Sequence, residues 1–258
     1  MISKIEKAVI KAGEHLRKGF YGVKEVSYKG KIDLVTKFDV EVEKIMMEEL
    51  SFLLPEYGFV AEETAKEMSG KDKVIYIDPI DGTTNFVHGF PFCCISVGVY
   101  EKGEGVCGVV YNPVMNELYK AEKGCGAFLN GERIYASQKD VLSECLTATG
   151  FPYSIVQESS EQILGILGRV LANTRGIRRA GSAALDLCYT AKGVFDAYYE
   201  FNLSPWDIAG GAVIASEAGA AVTGPDLNKP MGLYDKFILA ASGAVHREMY
   251  SLIFKNRI

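Results

Sequence analysis

Histidine and cysteine, the residues that build most zinc sites, are few and scattered in this chain. The three histidines are His15, His88 and His246, and the six cysteines include no Cys-x-x-Cys pair. These spacings exclude the common structural zinc sites, and no motif histidine stands beside a cysteine to form a nucleophilic pair. The simplest interpretation of the cysteines is reduced, buried thiols in a cytoplasmic protein.

Long apolar runs are also missing. No segment approaches the length that crosses a membrane, and residues 1–20 lack the continuous apolar core of a signal peptide. The net charge of −5 argues against a general binder of nucleic acids or membrane surfaces. Without linkers, low-complexity tracts or internal repeats, the 258 residues are expected to form a single domain with a substantial core.

The most informative segment runs from Asp78 to Asn85 and reads Asp-Pro-Ile-Asp-Gly-Thr-Thr-Asn. It follows the apolar, β-branched run 73–77, which predicts a buried strand. Pro79 favours an extended backbone at Asp78, and Gly82 permits a sharp turn. The two carboxylates and the Ile80 carbonyl are then directed toward one point, as Mg²⁺ requires. The alternative is an Asx-rich turn with no metal.

Other segments supply residues that suit the same site. Glu62 follows the short apolar segment 58–61 and offers a third carboxylate. Ser204 and Pro205 are a typical N-cap and first residue of a helix, so Asp207 falls in its first turn. Asp207 is there either a ligand or simply a favourable acid at a helix start. Thr36 followed by Asp39 resembles a capping box.

Taken together, the motifs resemble those of the inositol monophosphatase family over essentially the whole chain. They are Asp33-Leu34-Val35-Thr36, Glu62-Glu63, Asp78 to Phe86, Gly181-Ser182-Ala183-Ala184 and Trp206-Asp207-Ile208-Ala209-Gly210. The resemblance implies a mixed α/β fold, an α-β-α-β-α layered sandwich. Its N-terminal α+β half would span about 1–140 and its C-terminal α/β half about 141–258.

The resemblance also implies an Mg²⁺-dependent phosphomonoesterase that hydrolyses myo-inositol monophosphate through attack by a metal-activated water. The first of two or three ions would be held by Glu62, Asp78 and the Ile80 carbonyl. The second would be held by Asp78, Asp81 and Asp207, and a third, weaker ion would sit near Glu62. A homodimer and inhibition by Li⁺ are further implications of the resemblance.

Roles for the remaining site residues follow from the same resemblance. Thr83 would hold the nucleophilic water, with Asp39 accepting a hydrogen bond from its hydroxyl. The Gly82 and Thr83 amides would grip the phosphate. The substrate as a whole would be bound by Asp81, Gly82, Thr83, Ala183, Glu200 and Asp207. Within this set, Glu200 and Ala183 are the contacts to the inositol ring.

Several alternatives remain open at this point. The same catalytic segment serves fructose-1,6-bisphosphatases, and some bacterial members of the family also contact the transcription machinery. The lysine expected before the Asp-Leu-Val-Thr motif is out of register, so Lys29 and Lys31 receive no role. Arg175, Arg178 and Arg179 form a solvated strand edge, a subunit contact or an aid to phosphate attraction.

The periodicity of apolar residues predicts two N-terminal helices, followed by a series of strands and then by alternating strands and helices. Predicted strands are 74–78, 92–100, 105–111, 116–122, 145–149, 195–200, 220–223 and 237–241. Predicted helices in the second half are 157–172, 182–192, 205–218 and 244–254. Asn130-Gly131 is typical of a hairpin turn, and Gly193 and Gly219 are placed as helix stops.

Overall fold

Helices and sheets alternate in five layers, as the α-β-α-β-α prediction requires. The computed structural model describes residues 1–22, 26–29, 33–64, 71–151 and 160–254. The layers are the helix pair Ile2–Tyr21 and Lys37–Leu53, a seven-stranded sheet, the helix pair Ala183–Ala191 and Pro205–Glu217, a five-stranded sheet, and the helix pair Ser160–Asn173 and His246–Phe254. The predicted fold class is therefore confirmed.

The described residues form these elements. The helices are α1 (Ile2–Tyr21), α2 (Lys37–Leu53), α3 (Thr83–His88), α4 (Ser160–Asn173), α5 (Ala183–Ala191), α6 (Pro205–Glu217) and α7 (His246–Phe254). The strands are β1 (Val26–Lys29), β2 (Asp33–Thr36), β3 (Gly58–Ala61), β4 (Lys73–Asp81), β5 (Cys94–Glu101), β6 (Glu104–Asn112), β7 (Glu117–Glu122), β8 (Gly126–Leu129), β9 (Glu132–Ile134), β10 (Leu146–Thr149), β11 (Gly176–Arg178), β12 (Ala197–Phe201), β13 (Ala221–Thr223) and β14 (Phe237–Ala241).

The seven-stranded sheet runs in the order β3-β4-β5-β6-β7-β8-β9, and only its β3–β4 pair is parallel. Alternate residues of β4 enter different cores. Ile75 and Ile77 pack with α1 and α2, whereas Val74 and Tyr76 belong to the core shared with α5 and α6. The period of two along a strand thus covers both faces of the sheet with helices.

The five-stranded sheet has the order β11-β10-β12-β14-β13, with β10 parallel to both of its neighbours. Tyr198 on β12 faces α5 and α6, and Ala197 and Tyr199 face α4 and α7. Because β10 and β12 are parallel, their carboxyl ends lie at the same edge of the sheet. Ligands of α/β proteins are commonly bound at that edge.

Helix α6 lies unusually close to the first sheet. A Cβ added at Gly108 would come within 2.4 Å of the Gly210 carbonyl oxygen, and one at Gly98 within 2.5 Å of Ala209. Only glycine leaves room for this approach. The contact fixes the first half of α6, and with it Asp207, against β5 and β6. Strand β4, which carries Asp78 and Asp81, pairs with β5 in the same sheet.

Most of the predicted elements are confirmed, including the hairpin at Asn130-Gly131, where both residues have positive φ. Residues 157–159 of one predicted helix lie outside the described residues, as does Lys31. One expectation is corrected: Cys125 is exposed, although buried thiols were expected. Residues 33–36 form a strand that was not predicted, and Thr36 at its end caps α2 as expected. No disulfide joins cysteines in the described part of the chain. None of its helices is long and apolar enough to cross a membrane.

Candidate active site

A cavity of about 220 Å³ opens where the carboxyl ends of β4 and β12 meet the N-termini of α5 and α6. Nearly all of the predicted site residues line it. They are Glu62, Asp78, Ile80, Asp81, Gly82, Thr83, Ala183, Glu200 and Asp207. Asp39 is buried behind this lining and reaches it through Thr83.

The end of β4 directs three of these groups. The pairing of β4 with β5 shifts register between Asp78 and Asp81, and Pro79 lies in this irregular stretch, where no ladder hydrogen bond is required of it. Asp78 Oδ1 accepts the N–H of Ile80 at 3.0 Å. Gly82 follows with a φ of 92°, which reverses the chain into α3.

Asp81 is held from across the cavity by the start of α5. Its Oδ2 accepts hydrogen bonds from the Ser182 hydroxyl and the Ala184 N–H, each at 2.6 Å. Ser182 is also the N-cap of α5 and accepts the N–H of Leu185. The Gly-Ser-Ala-Ala motif therefore connects the second half of the chain to a carboxylate of the first.

Asp207 occupies the position predicted for it. Ser204 is the N-cap of α6 and Pro205 its first residue, and Asp207 Oδ2 accepts the Ser204 N–H at 2.7 Å. Glu62 enters from β3, where its N–H donates to the Ile77 carbonyl of β4. Their carboxylates thus reach the cavity from different elements.

Thr83 and Asp39 are joined by a hydrogen bond. Thr83 Oγ1 lies 3.1 Å from Asp39 Oδ1 and 3.0 Å from the Ile80 carbonyl oxygen. The other Asp39 oxygen accepts the N–H and the hydroxyl of Thr36, both at 2.7 Å, which completes the predicted capping box of α2. Asp39 is 1% exposed. The start of α2 therefore fixes the acceptor for the Thr83 hydroxyl.

Glu200 lines the cavity from the second sheet. Its Oε2 accepts a hydrogen bond from the Tyr198 hydroxyl at 2.7 Å. Burial raises the pKa of Glu200 to about 7, although the Tyr198 hydrogen bond opposes this shift. A carboxylate fixed in this way can accept hydrogen bonds from hydroxyl groups in the cavity.

The acidic residues of the cavity disturb one another's ionisation. Burial raises the pKa of Asp78 well above its ordinary value, and the charges of Glu62, Asp81 and Asp207 raise it further. Burial likewise raises the pKa of Asp81 to about 6 and that of Asp207 well above the ordinary range. Desolvation and like charges both disfavour the ionised form, so positive charge near these acids would favour their carboxylate forms.

These acids fit divalent metal binding by their chemistry. Carboxylates and a carbonyl are hard oxygen donors of the kind that Mg²⁺ prefers. The described residues contain no group of three or more such side chains already arranged as a metal site. Hydrogen bonds to Asp78, Asp81 and Asp207 end on one oxygen of each carboxylate, so each keeps an oxygen that these bonds do not use.

The chain is similar to known proteins over nearly its whole length. The model of the inositol monophosphatase family matches residues 1–257. The chain belongs to the inositol monophosphatase family. It is therefore an enzyme of the phosphoric monoester hydrolase class.

Individual relatives match this chain over most of their own length. Inositol monophosphatase 2 of Solanum lycopersicum is 42% identical over 224 residues, covering 84% of each chain. The Nus factor SuhB of Vibrio cholerae is 42% identical over 221 residues, covering 84% of this chain and 82% of that protein. The crystal structure of the extragenic suppressor protein suhB from Bartonella henselae has a TM-score of 0.90 at 37% identity, covering 99% and 98%.

The family motifs do not include every residue of the cavity. Gly150, Phe151, Arg179, Asn202 and Leu203 also line it. Arg179 belongs to the arginine cluster for which phosphate attraction was one of three alternatives. It is the cationic side chain among the described lining residues. Nothing in the local sequence distinguished it from its neighbours at 175 and 178.

A buried glutamate on α2 also escaped prediction. The Glu43 carboxylate accepts the N–H groups of Glu63 and Thr64, at 2.7 and 2.9 Å, together with the Thr64 hydroxyl. Glu43 is 1% exposed. It therefore holds the turn that follows Glu62, and only the fold brings these two segments together.

Proposed function

We propose that this enzyme hydrolyses myo-inositol monophosphate to inositol and phosphate in an Mg²⁺-dependent reaction. One observation carries the proposal: four acidic residues that fit metal binding share a cavity with Glu200, an acid suited to polyol hydroxyls. The four acids come from the end of β3, from β4 and from the first turn of α6, and Glu200 comes from β12, so the fold rather than local sequence assembles them. The family match supports the same assignment.

The proposed ligands are Glu62, Asp78, Asp81, Asp207 and the Ile80 carbonyl, for two or three ions. When bound, such ions neutralise a phosphate dianion, activate water and stabilise the departing alkoxide. The residues of the chain position the phosphate group and the attacking water. The Gly82 and Thr83 amides at the start of α3 are proposed to bind the phosphate oxygens, because the first amides of a helix have no partner within it.

Thr83 is proposed to orient the attacking water. Its hydroxyl hydrogen is directed to Asp39 or to the Ile80 carbonyl, which leaves oxygen lone pairs to accept a hydrogen bond from water. Asp39 is fixed by two bonds from Thr36, so this acceptor cannot easily turn away. Positioning of this kind is the main contribution that protein groups make to phosphoryl transfer.

Glu200 and Ala183 are proposed to bind the inositol ring. A carboxylate accepts hydrogen bonds from two adjacent hydroxyls, which a polyol offers and a simple aryl phosphate does not. Phosphate release from inositol 1-phosphate, fructose 1,6-bisphosphate, a 3′-phosphonucleotide and an aryl phosphate tests this choice. We expect the highest kcat/KM with inositol 1-phosphate. A preference for fructose 1,6-bisphosphate would assign the enzyme to the alternative activity.

Removal of the metal tests the proposed Mg²⁺ dependence. Chelation should abolish activity, and added Mg²⁺ should restore it. Asp81→Asn should lose most activity and still fold, because the substitution removes charge but little volume. Unchanged turnover in this variant would contradict the assignment of Asp81. Excess Ca²⁺ should inhibit through its looser coordination, and Li⁺ is expected to inhibit as well.

A further inference from the structure

The backbone conformation at residue 150 does not require glycine. Gly150 follows the last residue of β10, and its φ is not among the positive values found at the turn glycines of the described chain. An L-residue could adopt this conformation without strain. The reason for glycine at this position must therefore lie in its surroundings.

Those surroundings are the carboxyl group of Glu200. A Cβ at residue 150 would lie 2.1 Å from Oε2, 2.2 Å from Oε1 and 2.3 Å from Cδ of Glu200. These are its three nearest atoms, and all belong to the same side chain. A methyl group and the carboxylate cannot both occupy this space.

The strand register explains this contact. β10 and β12 are parallel neighbours, with Thr149 opposite Tyr199, so Gly150 continues the row that contains Glu200. Both residues line the cavity. On its own strand, Glu200 is held by the Tyr198 hydroxyl, and Tyr198 is fully buried.

We propose that Gly150 is a positioning residue for polyol specificity, because the space left by its missing side chain lets Glu200 lie where it can bind ring hydroxyls. Gly150 touches no reacting atom and acts through Glu200. The inference rests on the proposed function, since it concerns the contact that selects a polyol phosphate. It adds a determinant that lies 50 residues from Glu200 in the sequence.

Gly150→Ala is a usable test because the atoms that must move are at the end of a side chain. The carboxylate can rotate away, whereas a clash with backbone would disturb the fold. We expect the KM for inositol 1-phosphate to rise about tenfold or more, as on loss of an oriented hydrogen-bonding group. The effect on an aryl phosphate should be several times smaller. Gly243→Ala, at an exposed glycine with open space around it, is the matched control.

A double variant separates positioning from a general structural role. In a Glu200→Ala background the obstructed carboxylate is gone, so Gly150→Ala should change the KM by less than about twofold. Losses that multiply in the double variant would overturn the inference. So would equal losses on inositol 1-phosphate and the aryl phosphate, because these would place Gly150 in support of the metal site or the fold.

A crystal structure of Gly150→Ala gives a readout that does not depend on the substrate. The Glu200 carboxylate should move by about 1 Å or more, to van der Waals distance from the new Cβ at residue 150. Its hydrogen bond from the Tyr198 hydroxyl should break. An unmoved carboxylate would overturn the inference even if the proposed function holds. If the wild-type enzyme hydrolyses no polyol phosphate, the proposed function fails, and the inferred role in polyol specificity is overturned with it, whether or not the carboxylate moves.

Discussion

At the scale of single residues, the site depends on hydrogen bonds that connect a working group to a buried supporting group. Thr83 and Asp39 form one such pair, at 3.1 Å, and Asp39 is itself held by Thr36. Glu43 supports the turn after Glu62 in a similar way. In each pair the supporting residue lies on α2, so this helix acts on the site from behind the sheet.

The Thr83–Asp39 pair predicts non-additive losses. Thr83→Ala should lower kcat by about 10²-fold, comparable to loss of one positioned catalytic group, with little change in metal affinity. Asp39→Asn should also lower kcat, because it alters the acceptor that orients the Thr83 hydroxyl. The double variant should therefore lose little beyond the worse single variant. Steady-state kinetics of the four proteins, with Thr83→Ser as the control that keeps a hydroxyl, would measure this. Independent, multiplying losses would refute the pairing.

Glu43 predicts an effect on metal affinity. Glu43→Gln replaces one of the two accepting oxygens with an NH2 donor, so an N–H group at 63 or 64 loses its acceptor and the turn after Glu62 should loosen. We expect apparent Mg²⁺ affinity to fall about tenfold, as for other residues that orient metal ligands, with kcat at saturating Mg²⁺ changed less. Activity titrated with Mg²⁺ measures this. Glu48→Gln, an exposed change on the same helix, is the control. The same dependence of activity on Mg²⁺ concentration in Glu43→Gln and in the wild-type enzyme would contradict a role for Glu43 in orienting Glu62.

At the scale of elements, the close packing of α6 on the first sheet sets the position of Asp207. A Cβ at Gly108 would meet the Gly210 carbonyl oxygen at 2.4 Å, and neither strand nor helix backbone can move cheaply. Gly108→Ala should lower the free energy of unfolding by about 1–3 kcal/mol, as overpacking does, and should lower activity by displacing α6. Urea denaturation measures the loss. Gly168→Ala, in open space on α4, should cost nothing. Equal stability of the two variants would show that α6 is free to shift.

Elements with a clear sequence period were predictable. The apolar run of β4 and the Ser-Pro start of α6 predicted these two elements correctly. That Asp207 shares a cavity with Asp78 and Asp81 followed from the family resemblance and not from the period. The short strand β11 was missed, because three residues carry no measurable alternation. Strand β2 was missed because its residues also match a helix cap, and they serve as one at Thr36.

Residues that act through long-range contacts could not be predicted. Gly150 and Glu200 are 50 positions apart, and nothing near Gly150 in the sequence indicates what it faces. Glu43 has the pattern of an ordinary helical acid. Its partners at 63 and 64 become visible only when α2 packs behind the sheet. The family resemblance supplied the metal and water-binding residues, but not the residues that hold them.

At the scale of the whole molecule, two sheets meet at an acidic cavity. The strands of the larger sheet lie between residues 58 and 134, and those of the smaller between 146 and 241. That the chain nevertheless unfolds as one domain stays a prediction. It is favoured by the core that α5 and α6 share with both sheets. A homodimer and a cytoplasmic location likewise stay predictions.

Burial of acids in this cavity predicts a stability that falls as pH rises. Burial raises the pKa of Glu200 from 4.5 to about 7. Between these values the folded protein keeps a proton that the unfolded chain has lost. The free energy of unfolding contributed by Glu200 therefore falls as pH rises through this interval and levels off above pH 7. At about 1.4 kcal/mol per pKa unit, the change is at most about 3.5 kcal/mol.

Denaturation of chelator-treated protein between pH 4.5 and 8.5 would measure this change against Glu200→Gln. Glutamine keeps an acceptor for the Tyr198 hydroxyl but cannot ionise. The difference in the free energy of unfolding between the two proteins therefore measures the effect of Glu200 ionisation. The wild-type protein should lose stability relative to the variant as pH rises toward 7, and saturating Mg²⁺ should reduce this loss by supplying positive charge nearby. Parallel curves for the two proteins would mean that Glu200 ionises near its ordinary pKa. Its carboxylate would then be hydrated rather than enclosed between Gly150 and Tyr198.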